Sequence, residues 1–130
     1  MNEGIKRILV IDDNSDIRDL IQIIFEKAGR QVIHGVDGAS GLAEFQSKRP
    51  HLVLLDATMP GISGLDVLKA IRNDPDEELR RVPVMMLTAN SAEEDIAQAY
   101  ELGASAYLVK PFKKEKILNE VDQMLQLEEV

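Results

Sequence analysis

The sequence predicts an α/β protein of the doubly wound class, a (βα)5 chain that forms one five-stranded parallel sheet. Short apolar runs recur along the chain at residues 8–11, 32–33, 52–55, 84–87 and 107–109. Four of these five runs show no polar alternation, which is typical of strands buried on both faces of a parallel sheet. Amphipathic stretches with helical spacing separate the runs, so strands and helices alternate from end to end.

The helix boundaries are predicted from residues that favour helix ends. Ser91, with Glu94 three residues later, predicts a capping box at the start of the fourth helix, and Gly103 ends that helix. A fifth apolar pattern at helical spacing covers residues 117–125. The other boundary residues are Gly29 after the first helix, Asp37 before the second and Ser63 before the third.

Strict alternation of strands and helices also predicts the topology of the sheet. Because β-α-β crossovers are right-handed, the helices wind onto both faces of the sheet. The common strand order for a chain of this size is the flavodoxin-like order 2-1-3-4-5, which we predict here. Ligands of such sheets bind beyond the carboxyl ends of the strands where the order reverses, between the first and third strands.

Length and composition set further limits. A chain of 130 residues can bury a real core, and we expect a single domain over residues 1–130, with its core at 5–126 and no effector domain. The 23 acidic residues outnumber the 15 basic ones and give a net charge of −8, which disfavours direct binding to nucleic acid. The absence of cysteine excludes disulfides and thiolate metal sites. With no run approaching the ~18 apolar residues of a membrane span and no signal peptide, we expect a cytoplasmic protein without membrane contact.

Polar residues follow four of the five predicted strands. The carboxyl ends of parallel strands meet at one edge of the sheet, so these residues are expected to lie together. They are Asp12 and Asp13 after the first strand, Asp56 after the third, Thr88 and Ala89 after the fourth, and Lys110 and Pro111 after the fifth.

This set of residues favours phosphoryl chemistry. Three carboxylates in one crevice repel one another unless a cation offsets their charge, and an open site with few protein oxygens suits Mg²⁺, for which Mn²⁺ can substitute. Lys110 supplies a compact positive charge that can pair with a phosphoryl oxygen or, without one, with Asp56. Thr88 adds a hydroxyl donor, and Ala89 leaves room for a ligand. A nucleophile with a metal, a cation and neutral donors is what phosphoryl transfer requires.

The same residues carry a resemblance to a known family. The matching stretches are RILVIDDN at 7–14, LVLLDATMPGISGLDVL at 52–68, VPVMMLTAN at 82–90 and GASAYLVKPF at 103–112. Together they resemble the receiver domain of two-component response regulators over residues 5–126. The resemblance implies a signalling domain rather than an enzyme, with only self-catalysed phosphotransfer and autodephosphorylation. A sensor histidine kinase or a histidine phosphotransfer protein would be its phosphoryl donor.

The resemblance also implies a role for each site residue. Asp56 corresponds to the phospho-acceptor, and the face of the fourth helix, fifth strand and fifth helix to the surface that signals to a downstream protein. For the metal, it implies Asp13 as the direct Mg²⁺ ligand, Asp12 as a ligand acting largely through water, and the backbone carbonyl of Thr58 as the third protein ligand. For the phosphoryl group and the switch, it implies phosphoryl contacts from Thr88, Lys110 and the neighbouring Ala89, switch residues Thr88 and Tyr107, and a cis peptide at Lys110–Pro111.

Three other functions are compatible with this architecture. A flavodoxin-type FMN binder needs a Ser/Thr-rich phosphate loop after the first strand, where this chain has Asp12, Asp13 and Asp16. A phosphatase of the haloacid-dehalogenase type also uses an Asp nucleophile and Mg²⁺, but carries its Asp-x-Asp on the first strand. A scaffold with a degenerate site is the third alternative. His34 and His51 have no partners at ligand spacing and are predicted to lie on the surface or at a strand edge.

Overall fold

The computed structural model describes residues 4–129, with side chains described as far as residue 126, so the ends of the predicted domain lie outside the described residues. Five strands and six helices follow one another in this part of the chain. They are β1 (Arg7–Ile11), α1 (Ser15–Lys27), β2 (Gln31–Gly35), α2 (Gly38–Lys48), β3 (Leu52–Asp56), α3 (Gly64–Arg72), α4 (Glu77–Arg80), β4 (Val84–Thr88), α5 (Glu93–Glu101), β5 (Ala106–Val109) and α6 (Lys114–Glu129).

The sheet has the predicted topology. Its strands lie in the order β2-β1-β3-β4-β5, and every neighbouring pair is parallel. The doubly wound α/β class and the strand order 2-1-3-4-5 are therefore confirmed. The five predicted helices correspond to α1, α2, α3, α5 and α6.

The short helix α4 was not predicted. Asp76 caps this single turn by accepting hydrogen bonds from the backbone N–H groups of Glu78 and Leu79, and the Leu79 side chain is buried. A helix of four residues is too short to show a helical period, so the sequence pattern gave no signal for it.

The predicted capping box of α5 is wrong. The helix begins at Glu93, and its N-cap is Ala92, which has no side-chain acceptor. The side chain of Asn90 makes the hydrogen bonds near the start of this helix. Its Oδ1 accepts from the Ala92 N–H at 2.9 Å, and its Nδ2 donates to Asp95 at 2.6 Å. The other predicted boundaries are confirmed: Asp37 and Ser63 cap α2 and α3, and Gly29 and Gly103 have positive φ after α1 and α5.

Two hydrophobic clusters cover the two faces of the sheet. On one side α1 and α6 pack their apolar residues against Ile8 and Val10, and on the other side α2, α3 and α5 pack against Leu9 and Ile11. All residues of β3 and β4 are buried. Since both faces of the central strands are covered, the carboxyl edge of the sheet is where polar side chains can meet solvent and a ligand.

Candidate functional site

The predicted site residues meet at the carboxyl edge of the sheet. Asp56 and Thr88 end β3 and β4, while Asp12 and Lys110 follow β1 and β5 directly. The Lys110 N–H donates to the Thr88 carbonyl at 2.8 Å, which continues the pairing of β4 and β5 one residue into the loop. An open cleft of about 430 Å³ lies here, lined by Asp56, Thr58, Thr88, Ala89, Asn90 and Lys110.

The three predicted carboxylates form one cluster. Asp12, Asp13 and Asp56 each offer an oxygen atom, and these atoms lie within 4.8 Å of one another. Asp12 and Asp56 are buried, whereas Asp13 is exposed to solvent. Among the residues that the structure describes, this is the one group of three or more acidic, His or Cys side chains close enough to hold a metal ion.

Asp12 already has a hydrogen bond on each carboxylate oxygen. Its Oδ1 accepts from the Asn14 N–H at 2.9 Å, and its Oδ2 accepts from Lys110 Nζ at 2.8 Å. The side chain is 1% exposed, and its backbone N–H donates to the Gly35 carbonyl at 3.1 Å. Asp12 is therefore a fixed part of the site, and Asp13 and Asp56 are freer to bind a ligand.

Lys110 contacts two carboxylates. The ion pair expected with Asp56 is present at 3.8 Å between Nζ and Oδ2, but the contact with Asp12 is shorter by a full ångström. The peptide bond between Lys110 and Pro111 is cis. Strand-end positions predict that these groups meet, but the choice between two neighbouring carboxylates depends on details of the loop that spacing does not encode.

Asp56 is a buried carboxylate with a raised pKa. Its side chain accepts a hydrogen bond from the Thr58 N–H at 3.2 Å. Burial is the main cause that raises the pKa of Asp56 to about 6, and the charges of Asp12 and Asp13 act in the same direction. The Thr58 N–H and Lys110 oppose this rise. At neutral pH the carboxylate is thus mostly ionised, yet more basic than an ordinary aspartate.

Thr88 and Tyr107 meet at the loop that follows β4. Thr88 is buried, and its Oγ1 accepts from the Asn90 N–H at 3.1 Å. The Tyr107 hydroxyl donates to the Asn90 carbonyl at 2.9 Å. The pKa of Tyr107 is raised, mainly by burial of the ring and then by the charge of Asp95, and the Thr88 hydroxyl opposes this rise. Asn90 therefore contacts both residues, in addition to the direct contact between the Thr88 and Tyr107 hydroxyls.

Neither histidine belongs to the acidic cluster. His34 is on the edge strand β2, where its Nε2 faces Gln22 Oε1 at 2.8 Å and its Nδ1 accepts from Arg18 Nε at 3.3 Å. His51 precedes β3, and its Nδ1 accepts from the Arg7 N–H at 2.9 Å. Both are partly exposed, in agreement with the predicted surface or strand-edge position.

Comparison with known proteins agrees with this geometry. A family model for the response regulator receiver domain matches residues 8–122. The chain belongs to this family. Receiver domains of two-component systems take phosphoryl groups from histidine kinases and bind Mg²⁺ in an acidic pocket, and the phosphatase and degenerate-scaffold alternatives are not favoured.

This receiver domain is similar to part of two transcriptional regulators. It is 40% identical over 120 residues to the DNA-binding dual master transcriptional regulator RpaA of Synechocystis sp.. The matched region covers 92% of this chain and 49% of RpaA. It is 34% identical over 125 residues to the alkaline phosphatase synthesis transcriptional regulatory protein PhoP of Bacillus subtilis, covering 96% of the chain and 50% of PhoP. The chain thus spans about half the length of these relatives. The expected lack of contact with nucleic acid therefore stays a prediction.

Solved structures share the whole fold of this receiver domain. The chemotaxis protein CheY4 of Vibrio cholerae superposes with a TM-score of 0.86 at 29% identity, covering 92% of this chain and 98% of CheY4. A CheY-like receiver domain protein of Methanospirillum hungatei gives a TM-score of 0.88 at 26% identity, covering 96% and 97% of the two chains.

No helix within residues 4–129 is long and apolar enough to cross a membrane.

Proposed function

We propose that this receiver domain accepts one phosphoryl group on Asp56 and transmits the signal through a change of conformation. The observation that carries this proposal is the position of Asp56, a buried carboxylate in the open cleft, close to Lys110 and to the Asp12–Asp13 pair. In the metal-free protein the pKa of Asp56 is raised to about 6, mainly by burial, so the carboxylate is mostly ionised at neutral pH, as a nucleophile must be.

The donor is the phosphohistidine of a sensor histidine kinase or a histidine phosphotransfer protein. A carboxylate oxygen of Asp56 forms a bond to phosphorus, the phosphorus–nitrogen bond breaks, and the imidazole leaves with the bonding electron pair and takes up a proton. Lys110 Nζ lies 3.8 Å from Asp56 Oδ2 and can donate to a phosphoryl oxygen. The hydroxyl hydrogen of Thr88 is the second donor. Since phosphoryl transfer depends mostly on positioning and charge stabilisation, these donors need only be held in place.

The residues of the cleft fit Mg²⁺, or Mn²⁺ in its place. Hard oxygen donors at an exposed edge suit an ion that keeps several of its waters. Asp13, Asp56 and the backbone carbonyl of Thr58 would hold the ion directly, and Asp12 through water, because both of its oxygens already accept hydrogen bonds. When bound, the ion supplies positive charge that offsets the carboxylates and draws the phosphoryl oxygens into the cleft.

The proposed function is tested on the wild-type protein with a small-molecule phosphoramidate and Mg²⁺. Intact mass should show one added phosphate, which hydroxylamine removes because the product is an acyl phosphate. Chelation of the metal should prevent the modification. Catalytic turnover of a generic phosphoester would instead indicate a phosphatase, and no modification at all would indicate a degenerate scaffold.

Asp13→Asn should weaken Mg²⁺ binding by at least about 10-fold, since it removes a full charge from a proposed direct ligand of a hard cation. Titration followed by amide chemical shifts measures the affinity. Asp19→Asn is the matched control, because Asp19 is exposed on α1 outside the acidic cluster. An unchanged affinity in Asp13→Asn would place the ion elsewhere.

Thr88→Ala should still accept phosphate but should respond weakly in structure. A phosphoryl group draws the Thr88 hydroxyl towards it and disturbs the Asn90 loop, to which Tyr107 is bonded, so the face of α5, β5 and α6 changes. One charge-assisted hydrogen bond of about 1.5–3 kcal/mol biases two states by roughly 10- to 150-fold. Amide shifts around Tyr107 with and without beryllofluoride measure the response, and equally large shifts in both proteins would disprove the coupling through Thr88.

A further inference from the structure

We propose that Arg18 is a positioning residue for the metal site, since its guanidinium orients the peptide unit between Asp12 and Asp13. This inference rests on the proposed function, because it assumes that Asp13 binds the ion. Arg18 lies on α1, and it contacts neither the cleft nor Asp56 in the hydrogen bonds of its side chain. Its effect would be exerted through the backbone of the acidic pair.

The side chain of Arg18 connects three parts of the fold. Its Nη1 donates to the backbone carbonyl of Asp12 at 2.6 Å, and its Nε donates to His34 Nδ1 on β2 at 3.3 Å. The Asp12 carbonyl belongs to the peptide unit that leads into Asp13. Because a peptide unit is planar, holding this carbonyl also fixes the direction in which the Asp13 backbone begins.

Other contacts of the acidic pair fall on Asp12. Its N–H is held by the Gly35 carbonyl, and its carboxylate by Asn14 and Lys110. These contacts fix the first residue of the pair, whereas the contact from Arg18 fixes the link to the second. Asp13 itself is exposed at the rim of the cluster, so its geometry depends on the backbone that carries it.

His34 fixes the orientation of the Arg18 guanidinium through a hydrogen bond to Nε. The nitrogen of Arg18 can only donate, so His34 Nδ1 must be the acceptor, and Nε2 then carries the hydrogen that faces Gln22 Oε1 at 2.8 Å. Gln22 in turn donates from Nε2 to Glu26 at 2.9 Å, which fixes the orientation of its amide. The guanidinium is a rigid fork, so anchoring Nε on His34 aims Nη1 at the Asp12 carbonyl.

The sign of the effect separates this role from simple electrostatics. Arg18 carries a positive charge close to the acidic pair, so removing that charge should tighten cation binding if the charge alone matters. A positioning role predicts the opposite, because the loss of an outer contact that orients a ligand typically weakens metal binding by about 10- to 100-fold.

The test is an Mg²⁺ titration of the unphosphorylated protein, followed by the amide shifts of Asp13 and its neighbours. Arg18→Gln should weaken binding by about 10-fold, and Arg18→Lys should also weaken it, because an ammonium keeps the charge but lacks the fork. Arg81→Gln is the control, since it removes the same charge from an exposed arginine that pairs with Glu77 before β4. Unchanged or tighter binding in Arg18→Gln would overturn the inference.

Substitution of His34 provides a second, independent measurement. His34→Phe removes the acceptor and should weaken Mg²⁺ binding in the same direction, whereas His34→Gln keeps an acceptor and should preserve more of the affinity. Ring ¹⁵N shifts should show His34 protonated on Nε2 in the wild type, and the opposite tautomer would also contradict the inference. If Arg18→Gln does not fold, the Mg²⁺ affinities of His34→Phe and His34→Gln test the role of Arg18 instead. A wild type that binds no Mg²⁺ would overturn the proposed function itself, whereas normal binding in every variant would overturn only the role of Arg18.

Discussion

Asp56→Asn should take up no phosphate under conditions in which the wild type takes up one. Asp56 is the one member of the acidic cluster that is both buried and free to bind a ligand, because Asp12 has a hydrogen bond on each oxygen and Asp13 is exposed. An amide in its place keeps the acceptor for the Thr58 N–H but lacks a nucleophilic oxygen. Intact mass after incubation with the phosphoramidate and Mg²⁺ measures the outcome.

The control for this experiment is Asp19→Asn, which changes an exposed aspartate on α1 and should be labelled like the wild type. Peptide mapping of the labelled wild type should place the modification on the peptide that contains Asp56. Labelling of Asp56→Asn to the same extent as the wild type would show that another residue is the acceptor.

The same substitution should stabilise the protein at neutral pH in metal-free buffer. The carboxyl group of Asp56 has a pKa raised from an ordinary 3.8 to about 6, mainly by burial. The folded state therefore binds more protons than the unfolded state between these values, and stability falls as the pH rises through this window. At about 1.4 kcal/mol per pKa unit, the ionised carboxylate costs up to about 3 kcal/mol at pH 7, which the neutral amide avoids.

Urea unfolding of both proteins across the pH range measures this effect. The difference in the free energy of unfolding should be largest near pH 7 and should vanish below about pH 3, where Asp56 is mostly protonated in both states. Saturating Mg²⁺ should narrow the difference, because an ion that binds only the folded wild type stabilises it. A difference that does not depend on pH would show that the charge of Asp56 is not its cause, and Asp19→Asn should change stability by less than about 0.5 kcal/mol.

Much of the site followed from the sequence for one physical reason. In a parallel sheet the residue that ends each strand lies at the same edge, so apolar runs that end in Asp12, Asp56, Thr88 and Lys110 are enough to predict that these side chains meet. The two buried faces of the sheet require continuous apolar runs, which made four of the five strands readable.

The remaining details depend on contacts that have no period in the sequence. Helix α5 begins later than predicted. The side-chain amide of Asn90 hydrogen-bonds to both Ala92 and Asp95, and these bonds compete with the cap that Ser91 would form. The sequence pattern shows Arg18 only as a polar residue of an amphipathic helix. Its hydrogen-bond partners lie on β2 and directly after β1, so no spacing within its own helix indicates them.

The side chains of β1 alternate between the two hydrophobic clusters, and this limits where residues can be inserted into the chain. Leu9 and Ile11 pack on one face and Ile8 and Val10 on the other, in register with both neighbouring strands. One inserted codon in this strand would send every later side chain to the opposite face and turn Asp12 away from the cleft. The segment between α3 and β4 is different, because it holds the single turn α4 and contains none of the site residues. Natural insertions and engineered tags are therefore better tolerated there than anywhere in β1.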